Sequence, residues 1–478
     1  MRLGLMFFAT WLCLVNVSPA AADRPNVILI LIDDMGWGDF SCFGNTELKT
    51  QHMDQLASEG IRFEQFYVNS PICSPSRTAI STGQYPQRWR IGSYLARRAL
   101  NKQRGIAQWL DLHAPMLART LHQAGYATGH FGKWHMGGQR DVGDAPLITE
   151  YGFDASLTNF EGLGPRVLPL CDAYDGRPPR KYALGSDTLG HGPIRWKDRS
   201  QVTAAFADAA LAFIKAAAAR RQPFYVNVWP DDVHSTFFPP KARRGNGQKH
   251  TLYTGVLDTA DEQLAMLLDY VRGSEELRNN TLILVCSDNG PEPGAGSAGP
   301  FRGSKTMLYE GGIRSPLIVW GPGLVNPVKA GTVNKTSFLA AIDLPPSLLA
   351  ITGVAAPNGT VFDGEALPEI LVGKSDASRT TPLFFRRPPD RDDFYGVKNL
   401  PDLAVRDGHW KLLCEYDGTR PELYDLDTDR GETDNVAADH PDIVRRLTAA
   451  VVAWHLRMPP DNGAIFLDLQ QAARARKK

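Results

Sequence analysis

The sequence predicts an α/β fold, in which helices flank a mostly parallel central sheet and a smaller domain follows at the C-terminus. Three observations support this prediction: apolar runs without alternation, long helical patterns between them, and a change to shorter strand patterns with turns after about residue 370. A continuous apolar run suits a strand that is buried on both faces, as in a parallel sheet. Strands that alternate with helices indicate a layered α/β architecture.

Four apolar runs are the predicted strands of the central sheet, and three helical patterns separate them. The predicted strands are 26–32, 224–229, 281–286 and 316–320, and the predicted helices are 116–124, 201–221 and 252–271. Two segments rich in Gly and Pro, 161–193 and 291–303, are predicted to be loops. The longer of these loops is expected to run over the surface near the functional site.

The C-terminal part is predicted to form a small antiparallel sheet with one helix. Segment 403–413 is typical of two strands around an Asp-Gly turn, 422–426 of another strand, and 441–456 of an amphipathic helix. We therefore expect one domain at 23–370 and a smaller one at 371–478.

Composition and the N-terminal segment narrow the class of protein. The 478 residues carry no net charge, so the basic excess of a nucleic-acid-binding protein is absent. Arg2, an apolar stretch at 3–17 and small residues at 18–22 predict a cleaved signal peptide at 1–22. The apolar stretch is short for a membrane span, so no stable membrane insertion is expected. The predicted destination is the periplasm or the exterior, or the lysosome in a eukaryote.

Polar side chains follow the predicted strands at the point where each strand ends. Asp33 and Asp34 come directly after the first strand, Asp288 and Asn289 follow the third, and His234 lies shortly after the second. Ligands of open parallel sheets bind outside the carboxyl ends of the strands. The acids and the amide offer only oxygen ligands, which suit Ca²⁺ or Mg²⁺ rather than Zn²⁺. An Asp-Asp pair alone could merely cap a turn, but a second such group favours a metal site.

Cys73 is the candidate reactive centre. Pro75 is placed where the first turn of a helix tolerates proline, and the helix is predicted to run from about Pro75 to Thr82 and stop at Gly83. Cys73 would then lie at the helix N-terminus, where backbone N–H groups favour an anion, with Arg77 one turn further on the same face. A small buried core residue is the alternative interpretation.

Three further residues add positive charge and a proton carrier. Lys133 and His135 are two positions apart on what is predicted to be an extended segment, so both would face one way. Lys305 follows a glycine-rich loop. Each could equally be a solvated surface residue.

Together these motifs resemble the formylglycine-dependent sulfatases of the alkaline phosphatase-like superfamily. Within that family, they look most like the group of arylsulfatase A and N-acetylgalactosamine-6-sulfatase. The resemblance rests on five segments in the family's order, from about residue 26 to the C-terminal sheet. They are Asp33-Asp34-Met35-Gly36-Trp37-Gly38-Asp39, Cys73-Ser74-Pro75-Ser76-Arg77, Gly132-Lys133-Trp134-His135, Ser287-Asp288-Asn289-Gly290, and Lys305 with Glu310-Gly311-Gly312. The segment around His234 departs from the family's frequent His-x-Pro form.

The resemblance implies a mechanism for each of these residues. A formylglycine-generating enzyme would convert Cys73 to formylglycine, whose hydrate would attack the sulfur of a sulfate ester. One Ca²⁺, in preference to Mg²⁺, would be held by Asp33, Asp34, Asp288, Asn289 and an oxygen of residue 73. Arg77 would steady residue 73, and Lys133 and Lys305 would bind sulfate oxygens. His135 would help to remove the hydrate proton, and His234 would protonate the leaving oxygen.

The substrate implied by the resemblance is a sulfated carbohydrate. Action at a chain end is the preferred expectation, and action within a chain stays open. A phosphomonoester or phosphonate-ester hydrolase of the same superfamily and a non-catalytic glycan-binding protein are the alternatives. Residues proposed to rim the site and set specificity are Arg166, Asp187, His191, Trp196, Asp232 and Arg302.

Overall fold

A computed structural model describes residues 24–172, 177–390 and 398–462. The predicted signal peptide lies outside the described residues. The strands are β1 (Asn26–Ile32), β2 (Ile61–Tyr67), β3 (Ala127–Gly132), β4 (Ala155–Leu157), β5 (Arg166–Cys171), β6 (Arg180–Lys181), β7 (Ile194–Asp198), β8 (Phe224–Trp229), β9 (Thr281–Ser287), β10 (Arg314–Trp320), β11 (Thr332–Asn334), β12 (Leu339–Ala340), β13 (Leu383–Arg386), β14 (Leu403–Asp407), β15 (Trp410–Cys414) and β16 (Glu422–Asp425). The α-helices are α1 (Gln51–Glu59), α2 (Cys73–Thr82), α3 (Arg98–Arg104), α4 (Leu117–Gln123), α5 (Val202–Ala219), α6 (Lys249–Gly273), α7 (Glu275–Asn280), α8 (Glu310–Ile313), α9 (Leu344–Thr352), α10 (Pro368–Leu371) and α11 (Pro441–Arg457).

The central sheet follows the order β11-β2-β10-β9-β1-β8-β3-β4, and β12 pairs with β2. Its middle is parallel, because β1 pairs in parallel with both β8 and β9, and β3 pairs in parallel with β8. The predicted strands at 26–32, 224–229 and 281–286 are confirmed. The run at 316–320 lies in β10, which is antiparallel to both of its neighbours, so its expected parallel pairing is wrong.

Helices cover both faces of this sheet, which explains why β1 is apolar at every position after Asn26. Ile28 and Ile30 share one core with residues of α5 and α6, whereas Val27 and Leu29 share another with residues of α4 and α9. Alternate side chains of a strand point to opposite faces, so a strand covered on both sides needs an unbroken apolar run. One described stretch, 199–219, is long and apolar enough to span a membrane. Eight of its side chains in α5 are instead buried in the protein, among them Phe206.

The segment predicted as an irregular surface loop at 161–193 contains more structure than expected. Strands β5, β6 and β7 form a separate three-stranded sheet in the order β6-β5-β7. The Gly- and Pro-rich composition of this segment indicated a loop. The shortness of the strands, with only two residues in β6, left no periodic pattern to contradict it.

The C-terminal part forms a four-stranded antiparallel sheet in the order β13-β14-β15-β16, with α11 packed on it. The predicted hairpin, the further strand and the helix are confirmed, whereas β13 was not predicted. The boundary at residue 370 between the two domains stays a prediction.

Candidate active site

The carboxyl ends of four adjacent parallel strands deliver the polar residues of one site. Ile32 pairs with Ser287 and Gly132 pairs with Trp229 at these ends, so the segments that follow the strands leave the sheet side by side. Asp33 and Asp34 follow β1, Asp288 and Asn289 follow β9, His234 follows β8, and Lys133 and His135 follow β3. Parallel pairing explains how residues distant in sequence reach one edge.

Asp33, Asp34 and Asp288 form a buried acidic cluster. Each offers a carboxylate oxygen, these oxygens all lie within 4.8 Å of one another, and all three side chains are inaccessible to solvent. The Asp34 backbone N–H donates to Asp288 Oδ1 at 3.1 Å. Such a cluster fits a hard cation, because uncompensated carboxylates repel one another.

Asn289 completes the oxygen set in a way that favours a cation. Its Nδ2 donates to Asp34 Oδ1 at 2.8 Å, while its Oδ1 is buried and has no hydrogen-bond partner among the described residues. A buried acceptor without a partner is costly and needs an explanation. A cation bound by the three carboxylates would supply the missing partner.

Three cationic side chains contact the acidic cluster. Arg77 donates from Nε and Nη2 to Asp288 Oδ2, at 3.0 and 2.8 Å. Lys133 Nζ lies 2.6 Å from Asp33 Oδ2, and Lys305 Nζ forms an ion pair with Asp34 Oδ2. The expected convergence of positive charge on one edge is therefore present in the structure.

The charges shift the pKa values of the carboxyl groups in opposite directions. Burial disfavours ionisation of Asp33, but Lys133 and Arg77 outweigh it and hold its pKa well below the usual range. Burial and the nearby Asp33 raise the pKa of Asp288 well above its usual range, although Arg77 opposes them. The cluster thus keeps one strongly ionised member and one that resists ionisation.

Cys73 is the first residue of α2, which begins two residues before the predicted start at about Pro75, and only 2% of its surface is exposed. The helix ends at Gly83, which adopts the left-handed conformation with φ 69°. The side chain of Ser74 accepts a hydrogen bond from Leu95 N at 2.9 Å and anchors the first turn. Together with Lys133, His234 and Lys305, Cys73 lines a single cavity.

His135 departs from the predicted extended segment, because its backbone is left-handed with φ 56°. Lys133 and His135 nevertheless both line the cavity, as expected of side chains that face one way. Burial lowers the pKa of His135 to about 3, which leaves the ring neutral at neutral pH. Nε2 lies 2.8 Å from Leu95 O, which requires the proton on Nε2 and leaves Nδ1 as an acceptor.

His234 approaches the acidic cluster from the end of β8. Its Nε2 is 3.5 Å from Asp34 Oδ2, and its Nδ1 is 2.7 Å from Ser235 O. About a third of the side chain is exposed, which places it between the buried cluster and the open part of the cavity.

The cavity has a volume of about 240 Å³ and an aromatic and charged wall that the sequence did not predict. Among its lining residues are Tyr94, Arg140, Phe160, Glu161, Cys171, Tyr182, Arg199, Asp231 and Phe238. Two signals were available, since Glu161 begins the predicted surface loop and Asp231 follows the predicted strand at 224–229. Nothing in the local sequence marks Arg199, which reaches the cavity through tertiary packing.

The residues proposed to set specificity do not line this cavity. Arg166 is fully buried and donates to Ser186 O at 2.6 Å, and Arg302 donates to Tyr424 Oη at 2.9 Å. Asp232 lies behind the cavity wall, 2.9 Å from Arg199 Nη1, while Asp187 and His191 are exposed. Trp196 contacts Lys181 in the small sheet. The proximity of these residues in sequence to the predicted loops was a poor guide.

Comparison with known proteins identifies the family. Residues 25–354 match the sulfatase family model, and residues 299–454 match that of the N-sulphoglucosamine sulphohydrolase C-terminal region. The N-acetylgalactosamine-6-sulfatase of Sus scrofa is 32% identical over 383 residues, which cover 77% of this chain and 69% of that protein. The N-acetylgalactosamine-6-O-sulfatase of Bacteroides thetaiotaomicron is 28% identical, with 89% of this chain and 92% of that protein covered.

A solved structure with the same fold is that of Ps i-CgsB in complex with k-i-k-neocarrahexaose. It superimposes with a TM-score of 0.73 at 23% identity and covers 90% of this chain and 92% of that one. The shared fold and the family match over most of the sequence agree with the site built at the strand ends. This chain belongs to the sulfatase family and is a sulfuric ester hydrolase.

Proposed function

We propose that the protein hydrolyses a sulfate ester on a sugar, with a nucleophile derived from Cys73 and with bound Ca²⁺. The observation that carries this proposal is the position of Cys73 in one cavity with Lys133, Lys305 and His234. The cavity is smaller than the roughly 300–1,000 Å³ of pockets for drug-sized ligands, which suits one sugar ring at a chain end. The names of the relatives from Sus scrofa and Bacteroides thetaiotaomicron support an amino-sugar or hexose sulfate.

The chain's own residues account for binding of the sulfate group. Lys133 and Lys305 lie at the cavity, and their side chains are almost fully buried, so they can hold two sulfate oxygens away from water. Burial opposes the charge on Lys133, but Asp33 outweighs it and raises its pKa above the usual range, so it stays charged. Fixed charges in a dry site stabilise a transferring anionic group more than the same charges in water.

The reaction requires a protein oxygen at residue 73 and two proton carriers. After conversion of Cys73 to formylglycine by a formylglycine-generating enzyme, one hydroxyl of the hydrate would lose its proton to water, and its oxygen would attack sulfur as the bond from sulfur to the sugar oxygen breaks. His234 gives a proton to that leaving oxygen. His135 Nδ1 then accepts the proton of the second hydroxyl, the bond between residue 73 and the sulfate breaks, and the aldehyde returns.

Asp33, Asp34, Asp288 and Asn289 are the residues that would hold Ca²⁺. Bound there, the cation would supply the positive charge that makes an anionic oxygen of residue 73 accessible near neutral pH. Ca²⁺ is favoured over Mg²⁺ because a set of carboxylates and an amide oxygen without enforced octahedral geometry suits the larger ion.

Mass spectrometry of the peptide that contains Cys73 tests the nucleophile. We expect an active preparation to yield a peptide lighter than the unmodified thiol peptide. Replacement of Cys73 by Ala should reduce release of sulfate from a nitrophenyl sulfate by about 10⁴-fold or more, since removal of a nucleophile removes the covalent route. An active preparation that contains only unmodified Cys73 would contradict the proposal.

A comparison of nitrophenyl sulfate with nitrophenyl phosphate tests the reaction class within the superfamily. We expect faster turnover of the sulfate ester. Faster turnover of the phosphate by several orders of magnitude would show that the main activity is that of a phosphomonoesterase. Release of free sulfate from a panel of sulfated monosaccharides would then identify the sugar.

Binding of Ca²⁺ can be measured without an activity assay. After chelation, added Ca²⁺ should raise the thermal midpoint of the protein more than added Mg²⁺, because a ligand that binds only the folded state stabilises it. Asp288→Asn should reduce this response, and Asp261→Asn, a buried acid away from the cavity, should retain it. An equal response in both variants would exclude the proposed site.

A further inference from the structure

Two buried carboxylates that the reaction does not use form part of the cavity wall. Glu161 and Asp231 are only 3% and 2% exposed, and both line the cavity that contains Cys73. Glu161 Oε2 and Asp231 Oδ1 are buried and accept no well-formed hydrogen bond among the described residues; their cationic neighbours are His135 Nε2 at 3.5 Å and Arg199 Nη1 at 3.2 Å. Buried polar atoms are normally satisfied, so carboxylates in a cavity wall with incomplete hydrogen bonding indicate donors supplied by a ligand.

One asparagine links the carboxylate of Asp231 to the backbone of Glu161. Asn159 Nδ2 donates to Asp231 Oδ2 at 2.6 Å, and Asn159 Oδ1 accepts from Glu161 N at 2.7 Å. The backbone of Glu161 is also linked to that of His135, since His135 N–H donates to Glu161 O at 2.8 Å. This arrangement fixes both acceptors relative to His135 before substrate arrives, which favours selective binding.

The cations on this part of the wall are already neutralised. Arg199 Nη1 lies 3.2 Å from Asp231 Oδ1 and 2.9 Å from Asp232 Oδ1. Arg140 Nη2 lies 3.4 Å from Glu161 Oε1. Two guanidinium groups thus face three carboxylates, whereas Lys133 and Lys305 bring positive charge to the sulfate end of the same cavity.

The two ends of the cavity therefore differ in what they bind. On the basis of the proposed function, we propose that Glu161 and Asp231 accept hydrogen bonds from hydroxyl groups of the sugar ring that carries the sulfate. The same carboxylates reject a second anionic group on that ring, either a carboxylate or another sulfate. Discrimination by like charge is a common route to specificity because an unpaired buried charge is costly. The preferred ring is a neutral sugar with a single sulfate.

The charge preference is tested with matched pairs of substrates. Values of kcat and KM are measured for a monosulfated hexose and for the same sugar with a second sulfate, with nitrophenyl sulfate as the reference. For the wild type we expect kcat/KM to favour the monosulfate by at least about tenfold, mainly through KM. Glu161→Gln should narrow this ratio, because the amide keeps the shape of the side chain and removes its charge.

Asp261→Asn serves as the control, since Asp261 is a buried acid that accepts from His52 N and Met53 N, away from the cavity. It should leave the ratio unchanged. An unchanged ratio in Glu161→Gln, with both sugars still turned over, would overturn the inference and leave the proposed function intact. Absence of sulfate release from every sugar and from nitrophenyl sulfate would instead contradict the proposed function.

The hydroxyl contacts are tested without relying on a variant that could misfold. Deoxy analogues of the monosulfated sugar, each lacking one hydroxyl, are compared with the parent sugar on the wild type. Loss of a hydroxyl that binds a buried carboxylate should reduce kcat/KM by about 10- to 100-fold. In Glu161→Gln the loss for the same analogue should be smaller, as a double-mutant cycle requires. If no deoxy position affects the wild type by more than about twofold, the inference is wrong.

Discussion

Lys133 and Lys305 each form an ion pair with one member of the Asp33-Asp34 pair and also line the cavity. This double contact distinguishes them from the solvated lysines that the sequence alone would also allow. Their role was predicted only through the resemblance of their segments to the sulfatase motifs, because each lysine alone could equally be a solvated surface residue. The direction of each side chain was not predictable, because it depends on partners about 100 or more positions away.

Removal of one of these charges should reduce catalysis, in addition to the stability that is lost with a buried ion pair. For Lys305→Met we expect kcat/KM for a sulfate ester to fall by about 10²–10³-fold, the usual effect of removing one preorganised donor to a transferring group. Lys329→Met is the control, since Lys329 is partly exposed, pairs with Asp376 and does not line the cavity. A loss of less than about threefold in Lys305→Met would remove it from the sulfate site.

At the scale of single residues, motif positions were predictable and the cavity wall was not. Asp33 and Asp288 could be paired from sequence because both follow apolar strands. Arg199 and Asp231 meet only because the segments beside α5 and β8 pack together, and no local pattern records that contact.

Helix α2 carries Cys73, and a glycine closes its C-terminal end. Gly83 closes the helix with a left-handed φ of 69°, and a Cβ there would lie 2.6 Å from a ring carbon of Phe362. Gly353 closes α9 with a similar φ of 64°, but a Cβ at that position would meet open space. Substitution of Gly353 therefore tests the cost of backbone strain alone, whereas substitution of Gly83 adds the cost of a steric clash.

We expect Gly353→Ala to lower the free energy of unfolding by about 1–2 kcal/mol, the cost of a left-handed conformation for an L-residue. Gly83→Ala should cost more, since the ring of Phe362 must also move. Urea denaturation of the two variants measures the difference. Equal losses would show that Phe362 yields without cost.

The elements show where sequence patterns succeed and where they are ambiguous. An unbroken apolar run indicates burial on both faces, as in β10, but does not distinguish parallel from antiparallel neighbours. Strand β3 escaped prediction because Gly129 and Gly132 interrupt it. Gly132 is required there, since a Cβ would lie 2.1 Å from Trp229 O at φ 130°. The close approach of Gly132 to Trp229 requires a glycine, which breaks the apolar pattern of the strand. The same approach positions the next residue, Lys133.

A buried charge cluster joins the C-terminal sheet to the large sheet. Lys411, on β15, lies 3.0 Å from Glu310 Oε1 and 2.7 Å from Glu432 Oε1, and all three side chains are inaccessible. Arg314 lies 3.0 Å from Glu310 Oε2. Glu310 belongs to the segment that also carries Lys305, so one part of this segment serves the cavity and the other part serves packing between parts of the chain.

Loss of Lys411 should therefore destabilise the whole molecule. For Lys411→Met we expect the free energy of unfolding to fall by about 3–5 kcal/mol, because two buried carboxylates lose their shared cation. Chemical denaturation measures the change, with Lys329→Met as the exposed control. A loss similar to that of the control would mean that the cluster tolerates replacement of its cation.

The same cluster gives stability a pH dependence that can be assigned to one residue. Burial raises the pKa of Glu432 to about 7. Lys411 opposes this shift, and the nearby carboxylate of Glu310 adds to it. The folded protein thus holds a proton that the unfolded chain releases near pH 4.3, so this stabilisation is full below about 4.3 and is lost as the pH rises through about 7. In Glu432→Gln this loss should disappear from the unfolding free energy between pH 5 and 8. Parallel curves for the variant and the wild type would contradict the assignment.

Glu310 should act in the opposite direction and at lower pH. Burial opposes its ionisation, but Lys411 and Arg314 outweigh burial and lower its pKa to about 2. Its stabilisation is therefore present above the unfolded value and is lost as the pH falls towards 2. The two effects occupy separate pH ranges and can be resolved in one titration of stability.

The size of the cavity has a consequence for the order of events in glycan breakdown. If the enzyme acts at a chain end, as proposed above, a sulfate is reached only when its sugar ring is the terminal one. Each desulfation then exposes a sugar that a glycosidase must remove before the next sulfate becomes accessible. On a polymer, the two enzymes would alternate, and the slower of them would set the pace of degradation for both.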